Sequence, residues 1–312
     1  MRIVIEVDGV SKAFGPLPAL REVSFSVPTG SVCGLLGHNG AGKTTIVKIL
    51  STLLEPTTGK AVVAGFDVVA DADQVRQSIG VTGQDAALDG SLTGRENLVL
   101  FGRLRGLKRK QAGVRADELI ERFDLVDAAD REVCTYSGGM RRRVDIAVSL
   151  IVPPKVLFLD EPTTGLDPRS RRDVWTLVAS LAAQDVTVLL TTQYLEEADV
   201  LSDSIVILDA GRVIASGTAE ELKRRMGHSY CQVTPLHPED LVRVASVLGG
   251  YEGAEVDAAA NTVSVPAPHG VTTLGEVFRK LEELGVELMD ISLRKPSLDE
   301  VFLHLTGPTL TV

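Results

Sequence analysis

The 312-residue sequence predicts an α/β fold with a helical insertion, followed by a small α+β domain. Three observations predict it. From residue 155 the segments KVLFLD, RSRRDVWTLVASLAAQ, VTVLL, LEEADVLS and SIVILDA alternate strand and helix patterns, the order of a parallel sheet with crossover helices. Between about 85 and 152 strand patterns vanish, and SLTGRENLVLFGRLRG and RADELIERFDLV carry apolar residues at three- and four-residue intervals. Near Gly227 the character changes again, to a β-α-β-β-α-β order. The length, which exceeds the usual size of a single core, agrees with one large domain over 1–227 and a smaller one over 228–312.

In chain order, residues 1 to 36 alternate apolar and polar positions (RIVIEV, EVSFSV) and then run apolar (SVCGLLG). This predicts two strands of a half-exposed sheet and one strand buried on both faces. Residues 43 to 54 carry Ile46, Ile49, Leu50 and Leu53 at helical spacing, so a strand, a glycine loop and a helix follow one another. After the αβ alternation, IVILD and RVIASG meet at Ala210 and Gly211 as a hairpin. The C-terminal domain reads as strand CQVTP, helix PEDLVRVASVL, a strand near YEGAEVD, strand TVSVPAP, helix TLGEVFRKLEELG and strand VELMDISLRKP, a ferredoxin-like split βαβ. A last helix presents Leu298, Val301, Phe302 and Leu305 on one stripe, expected to pack on its own domain.

Composition narrows the function. Lys plus Arg number 32 against 42 Asp plus Glu, a net charge of -10 that disfavours nucleic acid as a partner. Cys33, Cys134 and Cys231 lie far apart with no metal-binding spacing, as expected of reduced, mostly buried thiols in a cytoplasmic protein. The N-terminus reads as a strand and not as a secretion signal. No apolar run approaches the roughly 18 residues of a membrane-spanning helix, so any action at a membrane requires a partner.

The stretch GLLGHNGAGKTT holds G-x-x-x-x-G-K-T between a buried strand and a helix. Gly37, Gly40 and Gly42 let backbone N–H groups curl around phosphate oxygens, and the helix start adds its partial positive charge. Lys43 is expected to reach the β- and γ-phosphates and Thr44 to hold Mg²⁺. His38, Asn39, Ala41 and Thr45 complete the candidate nucleotide contacts, with the His38 side chain read as a surface filler. In KVLFLDEP an apolar strand ends in two acids: Asp160 is placed for the magnesium shell and Glu161 to polarise an attacking water. In CTYSGGMRRRVDIAVSL, Ser137, Gly138 and Gly139 open an amphipathic helix and form a candidate anion site. Arg141, Arg142 and Arg143 lie in its first turn, where cations oppose the helix dipole; either an anion lies nearby, or this is a solvated face with an Arg141–Asp145 pair.

These residues resemble the ATP-binding subunits of ATP-binding cassette (ABC) transporters. The phosphate loop, Gln84 in TGQDAALDG, YSGGM, LFLDE and GLDP stand in that family's order, and the resemblance covers roughly residues 1 to 225. It implies a P-loop cassette, with an antiparallel β subdomain and a helical signature subdomain, that binds ATP and Mg²⁺ and hydrolyses ATP. By resemblance, Phe14 stacks on adenine, Gln84 touches Mg²⁺ and relays to the membrane subunit, Glu161 is the catalytic base, and Asp167 crosses a dimer interface. Ser137 to Gly139 would contact the γ-phosphate held by the opposite copy of a homodimer. Two copies of a membrane permease would dock near residues 84 to 107, placing the chain peripherally on the cytoplasmic face of the cell membrane.

Two positions depart from the common pattern. Tyr136 and Met140 replace the leucine and glutamine of the usual signature, and Gln193 in TTQYLEEAD stands where histidine is usual. With RRRVDIA and the terminal LDEVFLHLTG they resemble the daunorubicin/doxorubicin-resistance branch of bacterial exporters. Gln193 can donate a hydrogen bond to a γ-phosphate but cannot become cationic, which loads the hydrolytic role onto Glu161. The resemblance implies export of a hydrophobic drug or lipid through a separate membrane permease; two other classes fit less well, a soluble ATPase acting on ribosomes or DNA, whose second cassette or long coiled coil this sequence lacks, and a switch without turnover, against which Glu161 argues.

Overall fold

The computed structural model describes residues 2–83, 87–225 and 229–306. The chain divides into two compact units, residues 1–219 and 220–312. In the larger unit, β1 (Ile3–Phe14), β2 (Leu17–Pro28), β4 (Thr58–Val63) and β5 (Phe66–Asp67) form an antiparallel sheet in the order β2-β1-β4-β5. A second sheet contains β3 (Val32–Leu36), β6 (Ile79–Thr82), β7 (Val156–Asp160), β8 (Thr187–Thr192), β9 (Ser204–Asp209) and β10 (Arg212–Gly217). Its order is β10-β9-β3-β8-β7-β6, parallel throughout except for the antiparallel edge strand β10. Every residue of β3, β7 and β8 is buried, the outcome expected for apolar runs covered on both faces.

Successive residues of β7 enter two different cores. Val156 and Phe158 join Leu35, Ile46, Ile49 and the inner face of the antiparallel sheet. Leu157 and Leu159 join the helices on the other side. Those helices are α3 (Gly94–Leu104), α4 (Arg109–Arg122), α5 (Gly138–Ser149) and α6 (Pro168–Ala182); α1 (Lys43–Leu50) and α2 (Ala72–Ser78) precede them and α7 (Leu195–Leu201) follows. Helix α3 starts in a capping box in which Thr93 and Glu96 satisfy each other's backbone N–H, as the spacing T-x-x-E allows. The stretch 58–82 carries no strong periodicity, and β6 is only four residues long with Val81 exposed, so the sequence gives little warning of it.

The smaller unit begins within the first turn of α8 (Ala219–Arg225) and contains β11 (Tyr230–Pro235), α9 (Leu241–Leu248), β12 (Glu255–Asp257), β13 (Thr262–Pro266), α10 (Val271–Glu283), β14 (Leu288–Arg294) and α11 (Leu298–Thr306). Its strands run in the order β12-β13-β11-β14 with every neighbour antiparallel, the ferredoxin-like arrangement. Alternate residues Cys231, Val233, Val263 and Val265 pack against Val244, Leu248, Val277 and Leu281 of the two helices. Leu298 and Val301 of α11 are buried, while Phe302 and Leu305 are half-buried. No helix among the described residues is long and apolar enough to cross a membrane.

Candidate functional site

Four adjacent parallel strands end level with one another. Leu36 of β3 lies opposite Thr192 of β8, Thr191 lies opposite Asp160 of β7, and Leu159 lies opposite Thr82 of β6. The phosphate loop, Gln193 and the acid pair therefore leave the same edge of the sheet, where parallel sheets hold ligands. Gln84, expected just beyond β6, lies outside the described residues.

The loop after β3 is held tightly. A Cβ on Gly37 would sit 2.4 Å from the Leu208 carbonyl oxygen, and Gly42 has φ 109, a conformation that side chains rarely adopt. Gly42 caps α1, whose first residue is Lys43. The Lys43 side chain is 4% exposed. Its ammonium donates to the carbonyls of Gly37 at 2.7 Å and His38 at 3.1 Å, and lies 3.5 Å from Oε1 of Glu161. Burial pulls the Lys43 pKa down, and Glu161 and Asp160 oppose that shift.

Thr44 Oγ1 lies 3.4 Å from Oδ1 of Asp160, which also accepts a 2.5 Å bond from Thr191 Oγ1. A hydroxyl and a buried carboxylate thus converge at the loop, the oxygen donor set that suits a hard divalent cation. Glu161 has φ 49, a left-handed conformation for a non-glycine residue. Its N–H donates to the Thr191 carbonyl at 3.2 Å and to Thr191 Oγ1 at 2.9 Å, while its Oε2 accepts from Thr164 Oγ1 at 3.3 Å. Such a backbone persists only where its surroundings over-determine it, a pattern concentrated at functional sites.

A cleft of about 1040 Å³ runs along this edge. Asn39, Gly40, Gly42, Lys43, Thr44, Thr45 and Glu161 line it, together with Gly138, Arg141, Arg142 and Cys134 from the helical insertion. Ser137 caps α5 by accepting from the Met140 N–H at 3.3 Å. Gly139 is required by packing, because a Cβ there would meet Ser170 Oγ at 2.5 Å. Asp167 caps α6, accepting from the N–H groups of Arg169 and Ser170 and from Ser170 Oγ; the Ser170 bonds hold its carboxyl below the usual range.

Other candidates lie outside the cleft lining. Phe14 is 52% exposed at the end of β1, with Lys12 Nζ 5.5 Å from its ring centre, so it is not a core aromatic. His38 is exposed and turns to Asp209, with Nε2 2.8 Å from its carboxylate. Ala41 is fully buried and its carbonyl accepts from the Gly211 N–H. Gln193 is half-buried immediately beyond β8. Of the cysteines, expected to be mostly buried, Cys33 and Cys231 are buried, and burial pushes both up to about 11; the third, Cys134, is exposed at the cleft.

The arginines of α5 correct the solvated-face alternative for Arg142. Arg142 is buried and pairs at i,i+3 with Asp145 at 3.1 Å; the i,i+4 pair from Arg141 does not form. Arg143 instead bonds the carbonyls of Phe123 and Asp124 and the Asp124 carboxylate. The sequence signal for the buried pair was the R-x-x-D spacing itself, obscured by two neighbouring arginines. Glu197 was missed as well: fully buried, it accepts from Thr163 Oγ1 at 2.9 Å and Trp175 Nε1 at 3.0 Å, tying the segment after Glu161 to the helix after Gln193. Tyr136 is buried with its hydroxyl donating to the Ala128 carbonyl at 2.6 Å, so its departure from leucine is absorbed inside the helical insertion.

Burial pushes the Asp145 carboxyl up to about 6, with Arg142 pulling it the other way. Between about pH 4 and 6 the folded chain holds a proton there that the unfolded chain has released, so this group's stabilising contribution falls as pH rises through that window. We expect the urea-unfolding free energy of the wild type, relative to Asp145→Asn, to drop by about 2 kcal/mol between pH 4.5 and 6.5. Parallel pH profiles for the two proteins would contradict the assignment.

A glycine-rich loop and lysine beside a strand-end acid pair, with the start of α5 at Gly138 lining the same cleft, is the arrangement of ATP-binding cassettes. Residues 20–164 match the family described as ABC transporter, and residues 217–306 match the C-terminal domain of DrrA1-3-like ATP-binding proteins. The daunorubicin resistance ATP-binding protein DrrA3 of Streptomyces coeruleorubidus is 54% identical over 303 residues, spanning 97% of this chain and 96% of that protein. The doxorubicin resistance ATP-binding protein DrrA of Mycobacterium tuberculosis is 53% identical over 310 residues, spanning 97% and 94%. A solved ATP-binding subunit of an ABC transporter superposes with a TM-score of 0.65 at 30% identity, covering 72% of this chain and 93% of its own. The chain belongs to the ATP-binding, ATP-hydrolysing subunits of ABC transporters, in the DrrA drug-resistance branch. Such subunits dimerise and work with membrane permeases.

Proposed function

We propose that two copies of this chain close around two ATP molecules and drive export of a hydrophobic, drug-like compound through a separate membrane permease. The observation that carries the mechanism is the convergence of Lys43, Thr44, Asp160 and Glu161 at level strand ends. Bound phosphates would replace the carbonyls and Glu161 as partners of the Lys43 ammonium, while N–H groups of residues 37 to 45 wrap the β- and γ-phosphates. Thr44 and Asp160 fit Mg²⁺, with Gln84 as a further contact; the cation would neutralise charge on the phosphate oxygens. Glu161, freed from Lys43, accepts a proton from the attacking water, and Gln193 donates to the γ-phosphate. Ser137 to Gly139 of the opposite copy would close on that phosphate, Asp167 would lie at the junction, and Phe14 would stack on adenine.

The membrane side of the reading rests on relatives named for resistance to daunorubicin and doxorubicin, and on there being no membrane-crossing helix among the described residues. Two permease copies would place the chain on the cytoplasmic face. Inside-out vesicles holding the chain with its permease should accumulate doxorubicin only with Mg-ATP, and the drug should stimulate phosphate release. Stimulation by other amphipathic compounds, with none by anthracyclines, would move the substrate class and leave the ATPase reading intact.

A further inference from the structure

All three guanidinium nitrogens of Arg142 donate to the protein. Nε donates to the Pro162 carbonyl at 2.9 Å and Nη2 to the Asp160 carbonyl at 3.1 Å. One edge of the planar fork therefore grips the two carbonyls that flank Glu161. Nη1 donates to the Gly83 carbonyl at 2.9 Å and to Asp145 Oδ2 at 3.1 Å. A simple buried ion pair would need only the last of these four bonds. The other three go to backbone oxygens of segments bearing candidate site residues: Glu161 on one side, and on the other the residue before Gln84.

The backbone so gripped is the left-handed one at Glu161, φ 49. Thr191 holds its N–H side from β8, and Arg142 holds the carbonyls before and after it from α5. Remove the fork and nothing else described ties the carbonyls of Asp160 and Pro162 to the helical insertion through a side chain. Lysine would keep the charge beside Asp145 but presents its donors from a single point, so it cannot reproduce the two parallel bonds.

We propose that Arg142 is a positioning residue for hydrolysis: its guanidinium fixes the backbone on both sides of Glu161 to the second turn of α5, so that the carboxylate meets water only when strand end and helix are locked together. The inference rests on Glu161 as the base. It also gives the signature segment a second task, since the helix whose start would carry Ser137 to Gly139 toward an opposite copy's phosphate also sets Glu161 at its own, one turn further on.

A double-mutant cycle in the full-length chain tests it, read by steady-state kcat and KM for Mg-ATP, by binding of a fluorescent ATP analogue and by thermal melting. Arg142→Lys is expected to lower kcat by about 10- to 100-fold, with KM and analogue binding within about threefold, because a misplaced base slows chemistry more than binding. Arg142→Met combined with Asp145→Leu removes both buried charges at once, which such pairs tolerate, and is expected to melt near the wild type with the same loss of kcat. Adding Glu161→Gln to either variant should then cost far less than it costs the wild type, because both changes remove one function. Wild-type kcat in the folded double variant, or additive losses with Glu161→Gln, would overturn the proposal. If the double variant does not fold, Arg142→Lys decides by the same criteria. A wild-type rate in Glu161→Gln alone would instead remove the base assignment, an outcome separable from wild-type rates in the Arg142 variants.

Discussion

Glu161→Gln is expected to reduce ATP turnover by at least about a hundredfold while leaving nucleotide binding intact, the magnitude typical of losing a positioned general base. The amide is isosteric, so the Thr164 contact and the backbone bonds to Thr191 survive. What goes is the carboxylate that can take a proton and that sits 3.5 Å from the Lys43 ammonium. With the base gone and the phosphate contacts kept, Mg-ATP should hold the closed pair of chains, seen as a stable dimer in size-exclusion chromatography. Gln193→Ala, which removes a donor and no proton acceptor, should cost about tenfold or less. If Glu161→Gln turned over ATP normally while Gln193→Ala was dead, the assignment of the base would have to move.

Lys43→Met is expected to abolish ATP binding and turnover without unfolding the chain. The ammonium is buried, and its pKa is pulled down chiefly by desolvation, so the charged form is one the fold carries at a cost. Replacing it with an apolar side chain of similar length removes that cost, along with the bonds to the Gly37 and His38 carbonyls. That relief is opposed by the Glu161 carboxylate and the two carbonyls left without their donor, so the melting temperature without nucleotide is expected to fall by no more than a few degrees, about 1 to 2 kcal/mol. The wild type should gain about 2.7 kcal/mol of stability at Mg-ATP a hundredfold above its Kd, and the variant should gain none. A variant that still shifts with ATP would show that the backbone cradle, and not Lys43, carries the affinity.

Much of the fold was legible because its strands announce themselves. VCGLL and VLFLD are apolar at nearly every position and TVLLTT has an apolar centre, and each ends where polar chemistry begins, so the loop, the acid pair and Gln193 could be placed at strand ends from sequence. The ferredoxin-like unit was readable from its alternation of short strands and helices. The stretch 58–82 was not, because its strands are short and half-exposed and owe their place to pairing with β1 and β7. Arg142 was hidden for a different reason. A run of three arginines looks alike in sequence, yet the three end up against a cleft, in the interior and on a loop carbonyl, separated by 100° steps around α5. The capping role of Asp167 is written in D-P at a helix start.

The strand that ends in Asp160 and Glu161 sends alternate side chains into two separate cores. It is thereby fastened like a rivet through two plates: neither layer can slide without dragging it. The acid pair is moored in the larger unit from both sides of its sheet.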